Sequence, residues 1–300
     1  MVDPKYKKLL ERQNYKVVGN HSAVKVCAWT KKSIRDEGVC YKEQFYGIEC
    51  HRCLQMTPAV ASCTQKCLFC WRSLEHTESP AKWDDPSFII ENSIEAQRKL
   101  LSGFGGNPDV NKKKLAQAQD PNQAAISLSG EPTIYPKIDE LVGEFNRRRF
   151  TTFLVTNGTL PGRLSKMENL PTQLYLSVDA PNEEIYRKLC NPLDSACWGK
   201  LNETMDLFPS LGTRRVIRMT MVKGWNMVEP QGYAKIIGRA QPDFVEVKAY
   251  MFVGASRERL TLENMPSNDE VMDFAQRVAE ESGYDVKDEK RDSRVVLLGK

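Results

Sequence analysis

The sequence contains no run of about 18 consecutive apolar residues, the length that a membrane-spanning helix needs. Its first eight residues, Met1–Lys8, lack the apolar core of a secretory signal peptide. Long internal repeats and low-complexity segments are also missing. Hydrophobic residues still make up 41% of the chain and aromatic residues 9%, which is enough for a sizeable core. We therefore expect a soluble, cytosolic protein without membrane contact, and a monomer.

A strong excess of charge is absent as well, since the formal net charge is only +4. Residues 1–50 hold ten Lys or Arg against six Asp or Glu, which is the whole of that excess. A basic face attracts phosphate backbones, but many basic faces bind no nucleic acid. Charge alone leaves nucleic-acid binding open.

Alternating strand and helix patterns predict an α/β fold with a parallel sheet and outer helices. The predicted segments are a helix over 1–13, a strand-like run over 23–26, helices over 87–101, 138–148, 183–189, 233–239 and 269–282, and strands over 124–129, 150–156, 173–178, 214–222 and 244–252. A polar connection is expected over 103–122. About six strand–helix units fit between Met56 and Gly254, and a full barrel needs eight. This predicts an incomplete TIM-like (β/α)6 barrel over 56–254, an N-terminal extension over 1–55 and a C-terminal extension over 255–300.

Cysteine is the residue type whose distribution is informative. Seven of the nine cysteines lie between Cys27 and Cys70, a clustering that indicates metal or redox chemistry in a cytosolic protein. Cys63, Cys67 and Cys70 form a C-x3-C-x2-C loop. Ferredoxin-type clusters use four cysteines, so three thiolates on one loop leave one iron of a cubane cluster open to another ligand. Structural zinc is the alternative, but zinc sites usually have four ligands in two close pairs.

A second set of cysteines precedes that loop. Twelve residues separate Cys27 from Cys40 and Cys40 from Cys53, and this is no common zinc-finger spacing. Three further thiolates suggest a second iron–sulfur cluster. Cys50 forms a C-x2-C pair with Cys53, so a closed site with four cysteines, holding zinc or a cluster, stays open as an alternative.

The loop from Cys63 to Cys70 resembles the signature C-x3-C-x-aromatic-C of the radical S-adenosylmethionine superfamily, with Phe69 at the aromatic position. That resemblance implies a 4Fe–4S cluster whose open iron chelates S-adenosylmethionine and whose electron generates a 5′-deoxyadenosyl radical. It also implies cofactor contacts at predicted strand ends, from Ser129, Gly130, Glu131, Asn157, Ser177 and Asp179. Ser129 stands where the superfamily has the first glycine of a Gly-Gly-Glu-like turn. Each strand-end motif is weak alone, because glycine after a strand is usually a turn.

From about Val17 onward the chain resembles the archaeal 4-demethylwyosine synthases of the wybutosine pathway. The segments that carry this resemblance most specifically are 51–58, His-Arg-Cys-Leu-Gln-Met-Thr-Pro, and 67–72, Cys-Leu-Phe-Cys-Trp-Arg. The resemblance implies that Cys27, Cys40 and Cys53 hold a second 4Fe–4S cluster with an open iron, and that Cys50 is a spare thiol. It implies no role for Cys190 and Cys197, which are expected to be buried small apolar residues.

The family's reaction implies several partners. Its substrates are tRNA(Phe) bearing N1-methylguanosine at position 37 and pyruvate, which condense to the tricyclic 4-demethylwyosine base, with cleavage of the pyruvate C1–C2 bond as in a carbon–carbon lyase. Lys42, two residues after Cys40, is the candidate for a Schiff base with pyruvate; an ordinary solvated lysine is the alternative. Eukaryotic relatives carry an N-terminal flavodoxin-like domain as electron donor, but only about fifty residues precede the barrel here, so we expect no such domain. We expect instead an external one-electron reductant of the ferredoxin or flavodoxin type, and an archaeal source.

The tRNA contacts are less defined by the sequence. Candidates are the basic groups Lys112–Lys114, Arg214–Arg215, and Arg257 with Arg259, although a charge run is usually only a solvated face. Trp71 and Trp83 are candidates for stacking on an extruded base, or for core packing. Two alternatives remain: another radical S-adenosylmethionine enzyme with two clusters, and a zinc-stabilised nucleic-acid-binding protein without catalysis.

Overall fold

The computed structural model describes residues 1–78 and 80–300, and these form two compact units. The first unit comprises residues 1–63, 76–155 and 167–172, and the second comprises 64–75, 156–166 and 173–300. No helix of the described residues is long and apolar enough to cross a membrane.

The first unit combines a small antiparallel start with parallel strands. Its elements are α1 (Pro4–Arg12), β1 (Lys16–Val18), β2 (Ser22–Val24), α2 (Ala28–Ile34), α3 (Tyr41–Tyr46), β3 (Cys53–Thr57), α4 (Pro86–Leu101), α5 (Lys112–Ala118), β4 (Gln123–Ile126), α6 (Ile138–Arg147) and β5 (Thr151–Thr156). β1 pairs with β2 and β2 with β3 in antiparallel fashion, whereas β3, β4 and β5 are parallel neighbours. All four residues of β4 are buried, as expected for a parallel strand covered on both faces.

The second unit continues the alternation and closes with an antiparallel edge. Its elements are α7 (Pro161–Leu164), β6 (Gln173–Ser177), α8 (Glu183–Cys190), α9 (Cys197–Leu207), β7 (Arg214–Met221), α10 (Pro230–Ala240), β8 (Phe244–Ala249), α11 (Asn268–Ser282), β9 (Asp285–Lys290) and β10 (Val295–Gly299). β6, β7 and β8 are parallel, and β10 lies antiparallel between β8 and β9. The apolar tail of the sequence is therefore a buried strand rather than a loose end.

Local sequence signals explain several helix ends. Asp3 caps α1 by accepting the amides of Lys5 and Tyr6. Asn182 caps α8 in the same way, and Asn191 ends it in the left-handed conformation, at the position where Asn-Pro predicted the end.

Several sequence-based predictions of element limits were wrong. The connection over 103–122 contains α5, whose short apolar side, with Ala118, packs into a core cluster with Val26, Ile34 and Leu101. The predicted strand over 124–129 ends at Ile126, because the amides of Ser127 and Leu128 both turn to the carbonyl of Met56. The strand predicted over 244–252 ends at Ala249.

Candidate functional site

The first unit brings four cysteines and one lysine together. Cys27 directly precedes α2, Cys40 directly precedes α3, Cys53 opens β3, and Cys50 lies in the single 3-10 turn before it. Cys27 interacts electrostatically with Cys50 and Lys42, and Cys53 interacts with Cys27, Cys50 and Lys42. The first turn of a helix favours negative charge, so the positions of Cys27 and Cys40 suit thiolates.

Burial opposes ionisation of these thiols when no metal is bound. It raises the pKa of Cys27, although the amides of Trp29 and Thr30 pull in the opposite direction. It also raises the pKa of Cys53 to about 12, against the lowering effect of the Lys42 ammonium. Thiolates at these positions therefore need a strongly positive partner such as iron. The three thiols of Cys27, Cys40 and Cys53 are suitable donors for an iron centre.

Cys50 is part of this thiol group in space. Its side chain is 1% exposed, and its Sγ accepts the amide of Cys40 at 3.5 Å. The hydrogen bond with the Cys40 side chain is the main cause that raises the pKa of Cys50. The Cys50 backbone is fixed on both sides, because Glu43 accepts its amide at 2.7 Å and the Thr30 hydroxyl donates to its carbonyl at 2.8 Å.

Among residues 1–78 and 80–300, no group of three or more Cys, His, Asp or Glu side chains is arranged to hold a single metal ion.

Lys42 is the basic group of this site. It lies in the first turn of α3 and is 8% exposed, and its Nζ sits 4.3 Å from the ring centroid of Phe153 in β5. A solvated surface lysine, the alternative that the sequence left open, would be exposed. The aromatic face and the buried position hold the amine in one place, with the thiols of Cys27 and Cys53 as its electrostatic neighbours.

The turn after β4 is locked onto the segment that leads to Cys63. Gly130 has φ +72°, and a Cβ there would lie 1.8 Å from the carbonyl oxygen of Ala59. The amide of Glu131 donates to the carbonyl of Ser62 at 2.7 Å, and the Ser129 hydroxyl donates to the carbonyl of Val60 at 3.2 Å. The Glu131 carboxylate is 2% exposed and accepts the amide and hydroxyl of Thr133.

In the second unit, the segment after Cys63 is held by side chains from distant parts of the chain. Phe69 packs with Leu68 into a hydrophobic cluster formed by Leu189, Val222, Tyr250 and Leu260. Arg259 donates to the carbonyl of Leu68 at 3.1 Å and to the carbonyl of Cys70. Cys67 and Cys70 form no disulfide and are partly exposed, as is Cys63 in the first unit. Three thiols are the donor set that a cluster with one open iron requires.

The other predicted contacts of the second unit lie at strand ends. Asn157 follows β5 and bonds through its side chain to the hydroxyls of Thr64 and Thr159, at 2.8 Å each. Ser177 is the last residue of β6. Asp179 follows it and accepts the amide of Thr220 at 2.7 Å, and burial raises the pKa of this carboxyl to about 6.

The basic and aromatic candidates for tRNA contact are scattered. Arg214 and Arg215 begin β7, at the opposite strand end from Asp179, and Arg215 pairs with Asp243. Lys114 pairs with Asp36. Trp83 stacks edge-on against His21, whereas Trp71 is 42% exposed. Of the two tryptophans, Trp71 is the more exposed.

Several residues of these sites could not be identified from sequence patterns. Phe153, Glu43, Gln65 and Cys190 lie on ordinary strand, helix or loop positions, and Arg259 belongs to a charge pair that looked solvated. Only folding places them beside Lys42, Cys50, Cys67 and Cys70.

Comparison with known proteins identifies the class first. The family model described as "Radical SAM superfamily" matches residues 58–237, and the model described as "Wyosine base formation" matches residues 239–300. The predicted fold class, an incomplete TIM-like barrel of the radical S-adenosylmethionine type, is thereby confirmed.

Individual similar proteins point to one family within this superfamily. The S-adenosyl-L-methionine-dependent tRNA 4-demethylwyosine synthase of Pyrococcus horikoshii is 53% identical over 97% of this chain and 87% of that protein. A solved structure described as TYW1 with a lysine-pyruvate adduct bound is 39% identical, has a TM-score of 0.92, and is matched over 100% of this chain and 96% of that one. A crystal structure of archaeal TYW1 is 35% identical, with a TM-score of 0.84 and the same coverage.

The chain belongs to the S-adenosyl-L-methionine-dependent tRNA 4-demethylwyosine synthases. It is therefore a radical S-adenosylmethionine enzyme of the wybutosine pathway that modifies tRNA, and its family uses a 4Fe–4S cluster.

Proposed function

We propose that this enzyme condenses N1-methylguanosine at position 37 of tRNA(Phe) with pyruvate to form the 4-demethylwyosine base. In this reaction the 5′-deoxyadenosyl radical would take a hydrogen atom from the N1-methyl group, and the resulting carbon would join the carbonyl carbon of pyruvate. The pyruvate C1–C2 bond would then break with loss of the carboxyl carbon as CO₂, and the guanine amine would close the ring with loss of the carbonyl oxygen as water. The enzyme would thus act as a carbon–carbon lyase. An external one-electron reductant of the ferredoxin or flavodoxin type would serve it, and the enzyme would work as a monomer.

The thiols divide into two ligand sets in this proposal. Cys63, Cys67 and Cys70 would hold the radical-generating 4Fe–4S cluster, which supplies an electron to cleave S-adenosylmethionine and yield the 5′-deoxyadenosyl radical. Cys27, Cys40 and Cys53 would hold a second 4Fe–4S cluster. Cys50, hydrogen-bonded to Cys40, would stay outside its ligand set. The contacts to S-adenosylmethionine would come from the residues predicted for it: Phe69, Ser129, Gly130, Glu131, Asn157, Ser177 and Asp179.

The buried position of Lys42 is the observation that carries the substrate assignment. A buried lysine whose Nζ is held 4.3 Å from an aromatic ring centroid, with the thiols of Cys27 and Cys53 as electrostatic neighbours, is well placed to condense with a keto acid. A relative of similar fold was solved with a lysine-pyruvate adduct. We infer that Lys42 forms the equivalent Schiff base here.

The physical benefit of such an arrangement is positioning. Fixing pyruvate on Lys42 beside Cys27 and Cys53 removes its translational freedom and sets the orientation of its carbonyl carbon. Holding two reactants in a reactive geometry can lower a barrier by roughly 7–11 kcal/mol.

Reductive trapping tests this assignment. The reconstituted enzyme is incubated anaerobically with pyruvate and borohydride, digested, and mapped by mass spectrometry. We expect one pyruvate-derived adduct, on the peptide that contains Lys42. In Lys42→Ala, 5′-deoxyadenosine should still form, while formation of the modified nucleoside should fall by about 10³-fold, equivalent to about 4 kcal/mol.

Lys25 provides a matched control. It is another partly buried lysine of the same unit, with its Nζ 4.5 Å from the ring centroid of Tyr15. Lys25→Ala should keep both the trapped adduct and the turnover. An adduct that persists in Lys42→Ala, or unchanged turnover in that variant, would contradict the Schiff base. If 5′-deoxyadenosine forms in the native enzyme but the nucleoside never changes, the substrate assignment fails and the radical S-adenosylmethionine family stands.

Iron analysis tests the second cluster separately. About eight irons per chain are expected for two clusters, and about four for Cys27→Ala combined with Cys53→Ala. Equal iron content in the native and double-variant proteins would refute the second ligand set.

A further inference from the structure

The loop that carries Cys67 and Cys70 runs antiparallel to the end of α8. Four backbone contacts set the register: Lys66 N to Asn191 O at 2.9 Å, Leu68 N to Leu189 O at 2.9 Å, Leu193 N to Thr64 O at 2.9 Å, and the bridge between Gln65 and Pro192. In this register Cys67 lies directly opposite Cys190. The amides on either side of Cys67 carry the hydrogen bonds, which place Cys67 against Cys190, the last residue of α8.

The Cys190 side chain is in hydrogen-bond contact with Cys67 and is shielded from water. Cys190 is 2% exposed, and the hydrogen bond with its side chain is the main cause that raises the pKa of Cys67. Gln65 closes the remaining side, because its Oε1 lies 3.3 Å from the Sγ of Cys67 while its Nε2 donates to the Tyr186 hydroxyl at 2.7 Å. The Cys190 thiol therefore has a fixed neighbour, and that neighbour is the sulfur of Cys67.

We propose that Cys190 is a positioning residue of the radical-generating cluster, and that its S–H donates a hydrogen bond to the sulfur of Cys67. This inference rests on the proposed role of Cys67 as an iron ligand. A thiolate bound to iron can only accept a hydrogen bond, so Cys190 must be the donor of this pair. Hydrogen bonds to ligand sulfurs stabilise the more negative, reduced cluster and raise its reduction potential.

Cys190→Ala and Cys190→Ser separate the donor from the volume of the side chain. The measured quantity is the reduced-to-oxidised ratio of the cluster at a fixed potential, from an anaerobic redox titration followed by electron paramagnetic resonance. The signal to follow is the one that changes when S-adenosylmethionine is added, because only the cluster that binds this molecule responds. We expect the ratio to fall about tenfold in Cys190→Ala, equivalent to 59 mV for one electron. Cys190→Ser keeps a donor and should stay close to the native value.

Cys197 is the matched control. It is also 2% exposed and belongs to the same unit, but it begins α9, where its amide donates to the carbonyl of Asp194. Cys197→Ala should leave the potential unchanged. If Cys190→Ala does not retain iron, Cys190→Val, which fills the space without a donor, replaces it.

A direct view of the proton completes the test. Electron–nuclear double resonance of the reduced cluster, in H₂O and D₂O, should show an exchangeable proton coupling that is lost in Cys190→Ala and kept in Cys190→Ser. An unchanged potential together with unchanged proton couplings in an iron-replete Cys190→Ala protein would overturn the proposal. Failure of the underlying ligand assignment looks different, since Cys67→Ala would then keep the iron and the signal that responds to S-adenosylmethionine.

Discussion

Gly130→Ala is the substitution whose consequences the structure defines most sharply. Gly130 follows β4 with φ +72°, and its Cα faces the backbone of the segment that leads to Cys63. An alanine Cβ would lie 1.8 Å from the carbonyl oxygen of Ala59 and 2.5 Å from that of Ser62. Both neighbours are backbone atoms, so neither can rotate away as a flexible side chain could.

The expected cost has two parts. The left-handed conformation costs an alanine about 1–2 kcal/mol. Relieving the contact with Ala59 requires a backbone shift of roughly 1 Å or more, since real Cβ atoms essentially never approach closer than 3.0 Å. That shift would break the hydrogen bond from the Glu131 amide to the Ser62 carbonyl. Together these effects predict a loss of about 3–5 kcal/mol in the free energy of unfolding.

Gly47→Ala measures the conformational part alone, so its difference from Gly130→Ala gives the steric part. Gly47 belongs to the same unit and has φ +71°, but a Cβ there meets nothing within 4 Å. Anaerobic urea denaturation should show a loss of about 1–2 kcal/mol for Gly47→Ala and the larger loss for Gly130→Ala. S-Adenosylmethionine cleavage to 5′-deoxyadenosine should fall in Gly130→Ala as well, because the segment before Cys63 is displaced. Equal stability losses in the two variants would refute the close backbone contact at Gly130.

Two further predictions concern the surroundings of the site. His21 is buried, and its burial lowers its pKa below 6.5. The folded state then binds fewer protons than the unfolded state just below pH 6.5, so stability should fall as the pH drops through that value, by at most about 1.4 kcal/mol per pH unit. His21→Gln should flatten this dependence in denaturation curves at pH 7.5 and 5.5, and an equal slope in both proteins would count against it. Arg259→Ala removes the donor to the carbonyls of Leu68 and Cys70, and should cost about 1.5–3 kcal/mol and speed iron loss to a chelator. Arg257→Ala, a change at an exposed arginine of the same segment, should do neither; identical iron-loss rates in the two variants would remove the loop role of Arg259.

Most of the parallel core could be predicted from local patterns. β5, β6, β7 and α11 lie within one to two residues of their predicted limits, because continuous apolar runs and helical periodicity report burial directly. α5 was missed since its seven residues begin with three lysines, and its stability comes from packing against the core cluster around Val26, Ile34 and Leu101. Short helices of this kind depend on tertiary contacts more than on propensity.

The candidate site was also predictable only in part. The spacing of Cys63, Cys67 and Cys70 predicts an open iron without any structure, because thiols on one short loop are close together whatever the fold around them. The residues that contact these cysteines lie far from them in the sequence. Arg259 reaches the carbonyl of Cys70 across 189 positions of sequence, and nothing near it in the chain distinguishes it from Arg257.

The sequence by itself determined the class of this protein, its alternating architecture and the two sets of cysteines, since all three are written in residue type and spacing. Only the tertiary structure decided that Lys42 is buried against Phe153, that Cys50 lies beside Cys40, and that Cys190 faces Cys67. The physical reason is that exposure and pairing depend on the register between segments far apart in the chain, and register is fixed by packing and backbone hydrogen bonds rather than by local composition.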